Sequence, residues 1–353
     1  VFADVTETSG LSSVATYGFA GVTADLTGDG WPDMYIANDS LPNVFWVNNK
    51  DGTFSDQARE RGVAVNGEGA AEGAMGAAIG DVDSNGTVDL VVTNLSTESS
   101  TLYLNDGDGY FHDGTFPSGL ARPTFSHTGW GVGLVDLNTD GALDIPIANG
   151  LVIPCHSGFA PHGEDRQQVR VSRVGDPDSY WRDYADQNQL FLADGPLMRD
   201  GTSDYGGDFT RTEGSWRSLI FADCDEDGDM DFVATRLGKS ARFFRNDFPG
   251  AGHWINIKAF DPARRRDSLG AEVIVDTDQR QLRGLLVPAS GFLSHNDARL
   301  HVGLGSDLVI LQITVLWPDG PVEQCAEVFD NVTVDQSVIL KRGAGRPGVT
   351  GND

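Results

Sequence analysis

Four segments of nine residues share the form D-x-(D/N/T)-x-(D/N)-G-x-x-D, and this repeat constrains the fold more than any other feature of the chain. The segments read DLTGDGWPD, DVDSNGTVD, DLNTDGALD and DCDEDGDMD, and they begin at Asp25, Asp81, Asp136 and Asp223. The first three starts lie about 55 residues apart, and the fourth follows an insertion of roughly 30 residues. A fixed spacing of this size is typical of architectures in which each repeat is one supersecondary unit.

Each segment lies among stretches that have the composition of β-strands. A glycine-rich stretch such as GFAGVTADL precedes it, an apolar stretch such as MYIAN follows, and a third such as VFWVNN comes next. D-G pairs suited to hairpin turns follow in three copies, and TFSD or YFHD closes the first two units. The pattern predicts an all-β chain of four-stranded antiparallel meanders, which are typical of β-propeller blades. Helical periodicity is nearly absent, and one short turn is expected over residues 57–62.

The same segments carry the oxygen ligands that calcium prefers. Ca²⁺ takes six to eight hard oxygens, and side chains at positions 1, 3, 5 and 9 with the carbonyl at position 7 can supply them. Glycine at position 6 permits the bend, and the clustered carboxylates would repel one another without a cation. We therefore expect about four structural calcium ions. The predicted side-chain ligands are Asp25, Thr27, Asp29, Asp33, Asp81, Asp83, Asn85, Asp89, Asp136, Asn138, Asp140, Asp144, Asp223, Asp225, Asp227 and Asp231, and the predicted carbonyl ligands are Trp31, Thr87, Ala142 and Asp229.

The net charge of −27 narrows the choice of partners. It argues against nucleic acid, because no basic stripe is present to neutralise phosphates. No apolar run approaches the ~18 residues of a membrane span.

Because the chain begins without Met or a signal region, we expect that a leader has been removed or that the sequence is a piece of a longer protein. Cys155, Cys224 and Cys325 lack zinc-binding spacing and are expected to be thiols, with one disulfide as the alternative.

The Asp-rich segments resemble FG-GAP/VCBS repeats, the calcium-bearing blades of integrin-α-type β-propellers. The stretches GHWINIKAF, RRRDSLGAEVIV, GFLSHNDARLHVGLG and ITVLWPDGPVEQ resemble the ASPIC/UnbV domain of the cartilage acidic protein-like family. The resemblance implies propeller blades over residues 1–250, with an insertion at about 151–186. It also implies an ASPIC/UnbV β domain over 251–345 and a flexible tail over 346–353.

Alternation of apolar and polar residues in the C-terminal region predicts six or seven antiparallel strands. These strands could form a β-sandwich packed on the propeller or further blades that complete the ring. The opening VFADVTETSGL resembles the last strand of a preceding blade.

No established catalytic motif is present, so candidates for catalysis come from polar clusters. His156 and His162, inside the insertion, suit a pocket-lining lid, a zinc site or a plain surface loop. His295 and Asp297 suit an acid–base pair or a turn stabilised by polar side chains. His127 precedes the first strand of a blade and could face the central opening.

Two functions of different classes follow. The first is a calcium-stabilised module, outside the cytoplasm, that binds a protein, glycan or small-molecule ligand at the propeller face. Exposed calcium sites suit the millimolar calcium of extracellular or periplasmic space. The alternative, implied by resemblance to bacterial relatives in natural-product pathways such as those of enediynes, is a cytoplasmic enzyme without an organic cofactor. It would catalyse cyclisation, coupling, dehydration or isomerisation in the propeller mouth.

Overall fold

The computed structural model describes residues 2–153, 177–250, 252–318 and 325–348, and most of its regular structure is β-strand. The strands are β1 (Gly18–Ala24), β2 (Asp33–Asn38), β3 (Val44–Asn48), β4 (Phe54–Asp56), β5 (Ala77–Gly80), β6 (Asp89–Val92), β7 (Thr101–Asn105), β8 (Phe111–Asp113), β9 (Gly129–Val132), β10 (Ile145–Asn149), β11 (Gln189–Asp194), β12 (Leu197–Asp200), β13 (Trp216–Ala222), β14 (Asp231–Arg236), β15 (Arg242–Phe244), β16 (His253–Asp261), β17 (Arg266–Asp267), β18 (Glu272–Thr277), β19 (Gln281–Leu285), β20 (Leu300–Gly305), β21 (Ile310–Leu316), β22 (Ala326–Phe329), β23 (Gln336–Lys341) and β24 (Arg346–Pro347). The helices are short: a 3-10 helix (Leu11–Ser13), α1 (Thr115–Ser118), α2 (Ala121–Thr124), α3 (Pro177–Arg182) and α4 (Gly207–Arg211).

Each repeat of the sequence forms its own antiparallel sheet, with its strands in chain order. Repeat sheets 1, 2 and 3 have four strands each, β1–β4, β5–β8 and β9–β12, whereas repeat sheet 4 has three, β13–β15. The prediction of four strands per unit is therefore confirmed for three sheets and wrong for the fourth over the described residues. After β15 the chain runs into β16, which pairs with strands of the C-terminal region instead.

Neighbouring repeat sheets pack against each other through apolar side chains. The first strands β1, β5, β9 and β13 lie side by side in that order. One buried cluster joins sheets 1 and 2, a second joins sheets 2 and 3, and a third joins sheets 3 and 4. The first cluster includes Phe45 and Tyr103, the second Leu102 and Ile147, and the third Leu192 and Trp216, one residue from each sheet. Serial antiparallel sheets packed in this way are consistent with propeller blades.

The C-terminal region forms two further sheets that share one core. One sheet contains β17, β16, β20 and β23, and the other contains β19, β18, β21, β22 and β24. Ile257 of the first and Val315 of the second are both fully buried in the same cluster, as in a β-sandwich. Of the two arrangements predicted, a β-sandwich or further blades, the structure favours the sandwich. The prediction of wholly antiparallel strands is wrong at β23, which pairs with β16 in parallel after the chain has crossed through the second sheet.

A segment of the C-terminal region, residues 288–297, passes between the repeat sheets; we call it the central segment. Gly291 forms an antiparallel bridge with Ala77 of β5. The backbone amide of Phe221 in β13 donates to Asn296 Oδ1 at 3.1 Å. The central segment thereby joins the first strands of repeat sheets 2 and 4 to the sandwich.

The ring of Phe292 extends the same contacts to the other two first strands. Its centroid lies 4.9 Å from that of Trp130 in β9 and 6.4 Å from that of Phe19 in β1. The central segment thus contacts the first strand of every repeat sheet, so the sandwich contributes residues to the centre of the repeat unit.

Replacing Phe292 by Leu tests the contribution of this ring. We expect Phe292→Leu to lower the free energy of unfolding by about 1 kcal/mol, because the edge-to-face contact with Trp130 is lost while the bulk remains. Leu293 is the control, since its side chain is 81% exposed against 6% for Phe292. Urea denaturation should show Leu293→Ala near wild type, and equal losses in both variants would contradict a packed central segment.

The two ends of the chain differ from the sequence expectations. The opening segment was expected to form a strand, but it forms turns and the 3-10 helix. The reason is a local turn in which the amide and the hydroxyl of Thr6 donate to Asp4 Oδ1 at 3.0 and 2.7 Å. At the other end β24 pairs with β22, so two residues assigned to the flexible tail belong to a sheet. No helix among the described residues is long and apolar enough to cross a membrane.

Candidate metal centres

The four Asp-rich loops each connect the first strand of a repeat sheet to the second. We number them loop 1 (25–33), loop 2 (81–89), loop 3 (136–144) and loop 4 (223–231), with positions 1 to 9 in each. Position 9 is the first residue of the second strand in loops 1, 2 and 4 and forms a bridge with Val135 in loop 3. The loops therefore all lie at the same end of the sheets, which we call the loop face.

The aspartate at position 1 folds each loop around its own carboxylate. In loop 1 the amides of Asp29 and Gly30 donate to Asp25 at 3.0 and 2.7 Å. Loops 2 and 3 repeat both hydrogen bonds at distances of 2.8 to 3.2 Å. In loop 4 the Gly228 amide donates to Asp223 Oδ2 at 3.2 Å. Asp223 Oδ1 is buried with no hydrogen-bond partner among the described residues.

The aspartate at position 9 ties the loop to the third strand of its sheet. Asp144 accepts the Leu137 amide at 3.0 Å on one oxygen and the Ala193 amide at 2.9 Å on the other. Asp33 and Asp89 make the equivalent pair of contacts, and Asp231 accepts the amides of Cys224 and of Asn246, two residues beyond β15. Each of these carboxylates therefore closes its loop and fixes the end of a strand that follows later in the chain.

Two positions of each loop adopt left-handed backbone conformations. Glycine at position 6 has φ between 85° and 96° in the four loops, as the sequence predicts. Position 4 is also left-handed, and it is glycine only in loop 1: φ is 59° at Ser84, 55° at Thr139 and 60° at Glu226. The sequence pattern gave no signal for position 4, because its residue type varies.

Loops 2 and 4 bring their acids close enough to share one cation. Carboxylate oxygens of Asp81, Asp83 and Asp89 lie within 4.8 Å of one another, and so do those of Asp223, Asp225 and Asp227. Loops 1 and 3 show no such triad in the described residues, since position 3 is Thr27 in one and Asn138 in the other. The structure thus contains two acidic triads that could hold metal ions.

The donor set of the loops fits a hard cation such as calcium. Every predicted ligand offers oxygen, which Ca²⁺ prefers over nitrogen or sulfur. The hydroxyl of Thr27 in loop 1 and Asp223 Oδ1 in loop 4 are buried oxygens without a hydrogen-bond partner in the described residues. Buried polar atoms are normally satisfied, so each of these atoms is available as a ligand.

Burial of the loop carboxylates makes their ionised forms costly. Desolvation raises the pKa of Asp89 to about 7, that of Asp136 to about 7 and that of Asp144 to about 8. Neighbouring acids of the same loop push these pKa values in the same direction. A bound cation would offset both effects, because it favours the charged form of each carboxylate.

The residues proposed for catalysis that the structure describes each have a separate contact. His127 Nδ1 lies 3.1 Å from Asp186 Oδ1. The exposed His295 contacts a neighbouring backbone carbonyl, and Asp297 pairs with Arg299 at 2.6 Å. His156 and His162 lie outside the described residues, as does Cys155, while Cys224 is a free thiol and Cys325 is buried.

A cavity of about 340 Å³ lies between the loop face and the sandwich. Its walls include residues of loops 2 and 3, of β19 and of β20. His301 of β20 lines it, whereas His127 and His295 do not. His301 was not among the site residues predicted from the sequence. The signal that could have found it is the alternation in LHVGLG, which places His301 on the opposite face of β20 from the core residues Val302 and Leu304.

Comparison with family models agrees with these two parts of the structure. A model described as FG-GAP-like repeat matches residues 25–92 and 81–145, and one described as ASPIC and UnbV matches residues 261–347. The chain therefore contains FG-GAP-like repeats and a C-terminal ASPIC/UnbV domain, and the resemblance inferred from the sequence is confirmed.

Among individual proteins, the chain is a distant homologue of cartilage acidic protein 1. It is 25% identical to the mouse protein over 363 residues, covering 90% of this chain and 54% of the relative. It is 26% identical to the human protein over 339 residues, covering 84% and 50%. The chain thus spans about half the length of the curated relatives it matches.

Two solved structures show weaker similarity. One, described as the basis of specific recognition of non-reducing terminal N-acetylglucosamine by an Agrocybe aegerita lectin, has a TM-score of 0.32 and 18% identity, and the match covers 64% of this chain and 52% of that chain. The other, a Photorhabdus luminescens Tc holotoxin pore, has a TM-score of 0.36 and 16% identity, covering 84% and 12%. At these scores neither structure assigns a fold or a ligand to this chain.

Proposed function

We propose that the chain is a calcium-stabilised β-propeller that serves as a binding module outside the cytoplasm. One observation carries this proposal: loops 2 and 4 each bring three carboxylates within 4.8 Å of one another, inside a loop geometry that all four repeats share. Carboxylates held this close repel one another unless a cation is bound. Calcium suits the all-oxygen donor set and the flexible geometry of a short loop.

Calcium would stabilise the repeat sheets and their contact with the sandwich together. Loop 4 shows how: Asp223 of its acidic triad also accepts the side-chain amide of Asn256 in β16 at 2.8 Å. Arg299 of the sandwich region donates to the backbone carbonyl of Asp223 at 3.1 Å. A cation in loop 4 would therefore fix a carboxylate to which the sandwich is already bound.

The opposite end of the repeat sheets is the face we propose for partner binding. The sandwich covers part of the loop face through contacts such as that between Arg280 and the Asp140 carbonyl at 2.8 Å. The first strand of repeat sheet 1 begins at the other end, where Tyr17 and Phe19 are exposed. Leu293 of the central segment is exposed as well. A protein, glycan or small-molecule ligand could bind apolar groups presented on such a rigid scaffold.

The proposed cellular location is based on the exposure of the loop acids. Acidic residues in loops 1, 2 and 4 are partly exposed, and sites of this type work at the millimolar calcium found outside cells. We therefore propose an extracellular or periplasmic location. The enzyme alternative, with its cytoplasmic location, stays a prediction.

Thermal melting in calcium and in EGTA tests the metal role. We expect millimolar calcium to raise the melting temperature by at least about 5 °C, because an ion that binds only the native state stabilises it by mass action. Asp83→Asn and Asp225→Asn, each at position 3 of a triad, should lose part of that rise.

The exposed Asp278, outside the loops, gives the matched control Asp278→Asn, which should keep the full calcium-dependent rise. A wild-type rise of only about a degree would refute calcium stabilisation. Equal losses in all three variants would show that the triads are not the binding sites.

A further inference from the structure

The cavity beside the loop face has the size of a small-molecule site. Its volume of about 340 Å³ falls at the lower end of the roughly 300–1,000 Å³ typical of ligand pockets. It lies where the repeat sheets meet the sandwich, and boundaries between units are common places for such pockets. Leu134, Leu143, Phe221 and Leu300 give it an apolar wall.

A chain of hydrogen bonds fixes the tautomer of His301 in this cavity. The Asp223 carboxylate can only accept, so the Asn256 side chain turns its NH₂ group to Asp223 at 2.8 Å. Asn256 Oδ1 then faces His301 Nδ1 at 3.0 Å. Since this oxygen can only accept, Nδ1 carries the proton and Nε2 keeps a lone pair.

Nε2 of His301 is a buried acceptor that lacks a donor. It has no hydrogen-bond partner among the described residues, although buried polar atoms are normally satisfied. Burial, and then the charge of Arg299, lower the pKa of His301 to about 4, so the ring is neutral near pH 7. A neutral imidazole with this tautomer accepts a hydrogen bond and does not attract an anion.

The arginines of the walls are already paired with carboxylates. Arg283 lies 3.0 Å from Glu272, and Arg299 lies 2.6 Å from Asp297. Each guanidinium therefore has a carboxylate that offsets its charge. Asp81 and Asp136 of the loops also line the cavity, and their oxygens already accept loop amides. The cavity therefore favours an uncharged ligand.

We propose that this cavity binds a neutral small molecule that combines an apolar surface with a hydroxyl group, and that the hydroxyl donates to His301 Nε2. The apolar part would contact the leucine-rich wall, and the hydroxyl would satisfy the buried acceptor. This inference goes beyond the proposed function, because it assigns a ligand class to the loop face and requires no partner at the opposite face.

Fluorine NMR with 4-fluorophenol tests the proposal, and fluorobenzene is the matched probe without a hydroxyl. In saturating calcium we expect 4-fluorophenol to bind saturably and more tightly than fluorobenzene. His301→Leu should weaken 4-fluorophenol binding about tenfold, which is the scale of one hydrogen bond, and should leave fluorobenzene binding unchanged. His301→Gln, which keeps a side-chain acceptor, should retain much of the affinity. His112→Leu removes an exposed histidine of β8 and should have no effect.

Three results would overturn the proposal: no saturable binding of 4-fluorophenol, equal affinity for the two probes, or equal binding by wild type and His301→Leu. If His301→Leu does not fold, long-range proton–nitrogen spectra of the wild type decide. We expect protonated Nδ1, bare Nε2 and a shift of the Nε2 signal when 4-fluorophenol is added; protonated Nε2 or an unmoved signal would refute it. Melting without the probes measures the calcium role separately, so the two proposals can fail independently.

Discussion

We expect Asp144→Ala to lower the free energy of unfolding by about 4 kcal/mol in saturating calcium. Asp144 is fully buried, and its two oxygens accept the amides of Leu137 and Ala193. Alanine would leave both amides without a partner, and each unsatisfied buried donor costs about 2 kcal/mol. The affected contacts lie in loop 3 and in β11 of the same repeat, so the loss should appear as cooperative destabilisation in urea denaturation.

Asp144→Asn separates shape from hydrogen bonding at the same position. The asparagine side chain keeps the volume of aspartate and one acceptor oxygen, but its NH₂ group faces one of the two backbone N–H groups. We therefore expect the free energy of unfolding to fall by about half as much as in Asp144→Ala. The exposed Asp204 supplies the control Asp204→Ala, which should stay within about 0.5 kcal/mol of wild type. A loss below about 1 kcal/mol in Asp144→Ala would show that position 9 does not fix the third strand.

The loops and their flanking strands could be predicted because their information is local. Nine consecutive residues contain the acids, the glycine at position 6 and the start of the second strand. The second contact of position 9 could not be predicted, since Asp144 reaches Ala193 across the insertion. The left-handed position 4 was missed because Ser84, Thr139 and Glu226 share a backbone conformation but no side-chain chemistry.

The central segment and the cavity depend on contacts between distant parts of the chain. The sequence GFLSHND predicts a turn, but nothing local shows that Phe292 packs on Trp130. The importance of His301 arises in the same way, because Asn256 and His301 are cross-strand partners in β16 and β20. Each residue alone is an ordinary polar residue in an alternating strand. Only the strand register, with Asp223 beside Asn256, gives the histidine a defined tautomer.

Without calcium, we expect the chain to become more stable as the pH falls from about 8 to about 5.5, by on the order of 3 kcal/mol. Asp89, Asp136 and Asp144 have folded pKa values of about 7, 7 and 8 because of burial, whereas an unfolded aspartate has one near 3.9. The folded state therefore binds more protons across this range, and the stability that protonation adds is lost as the pH rises through the folded pKa values. Asp136 and Asp144 interact, so their effects should sum to less than three independent shifts.

Calcium should reverse this dependence, because the ion holds the carboxylates in their charged form and protons compete with it. Urea denaturation at several pH values, in metal-stripped buffer and in saturating calcium, gives the free energy of unfolding as a function of pH. We expect the two curves to diverge above about pH 7 and to converge near pH 5.5. Asp144→Asn, which cannot titrate at that position, should flatten the calcium-free curve. If the calcium-free protein instead became less stable between pH 8 and pH 5.5, ionisation of the buried loop carboxylates would not be costly. That cost is what a bound cation would offset.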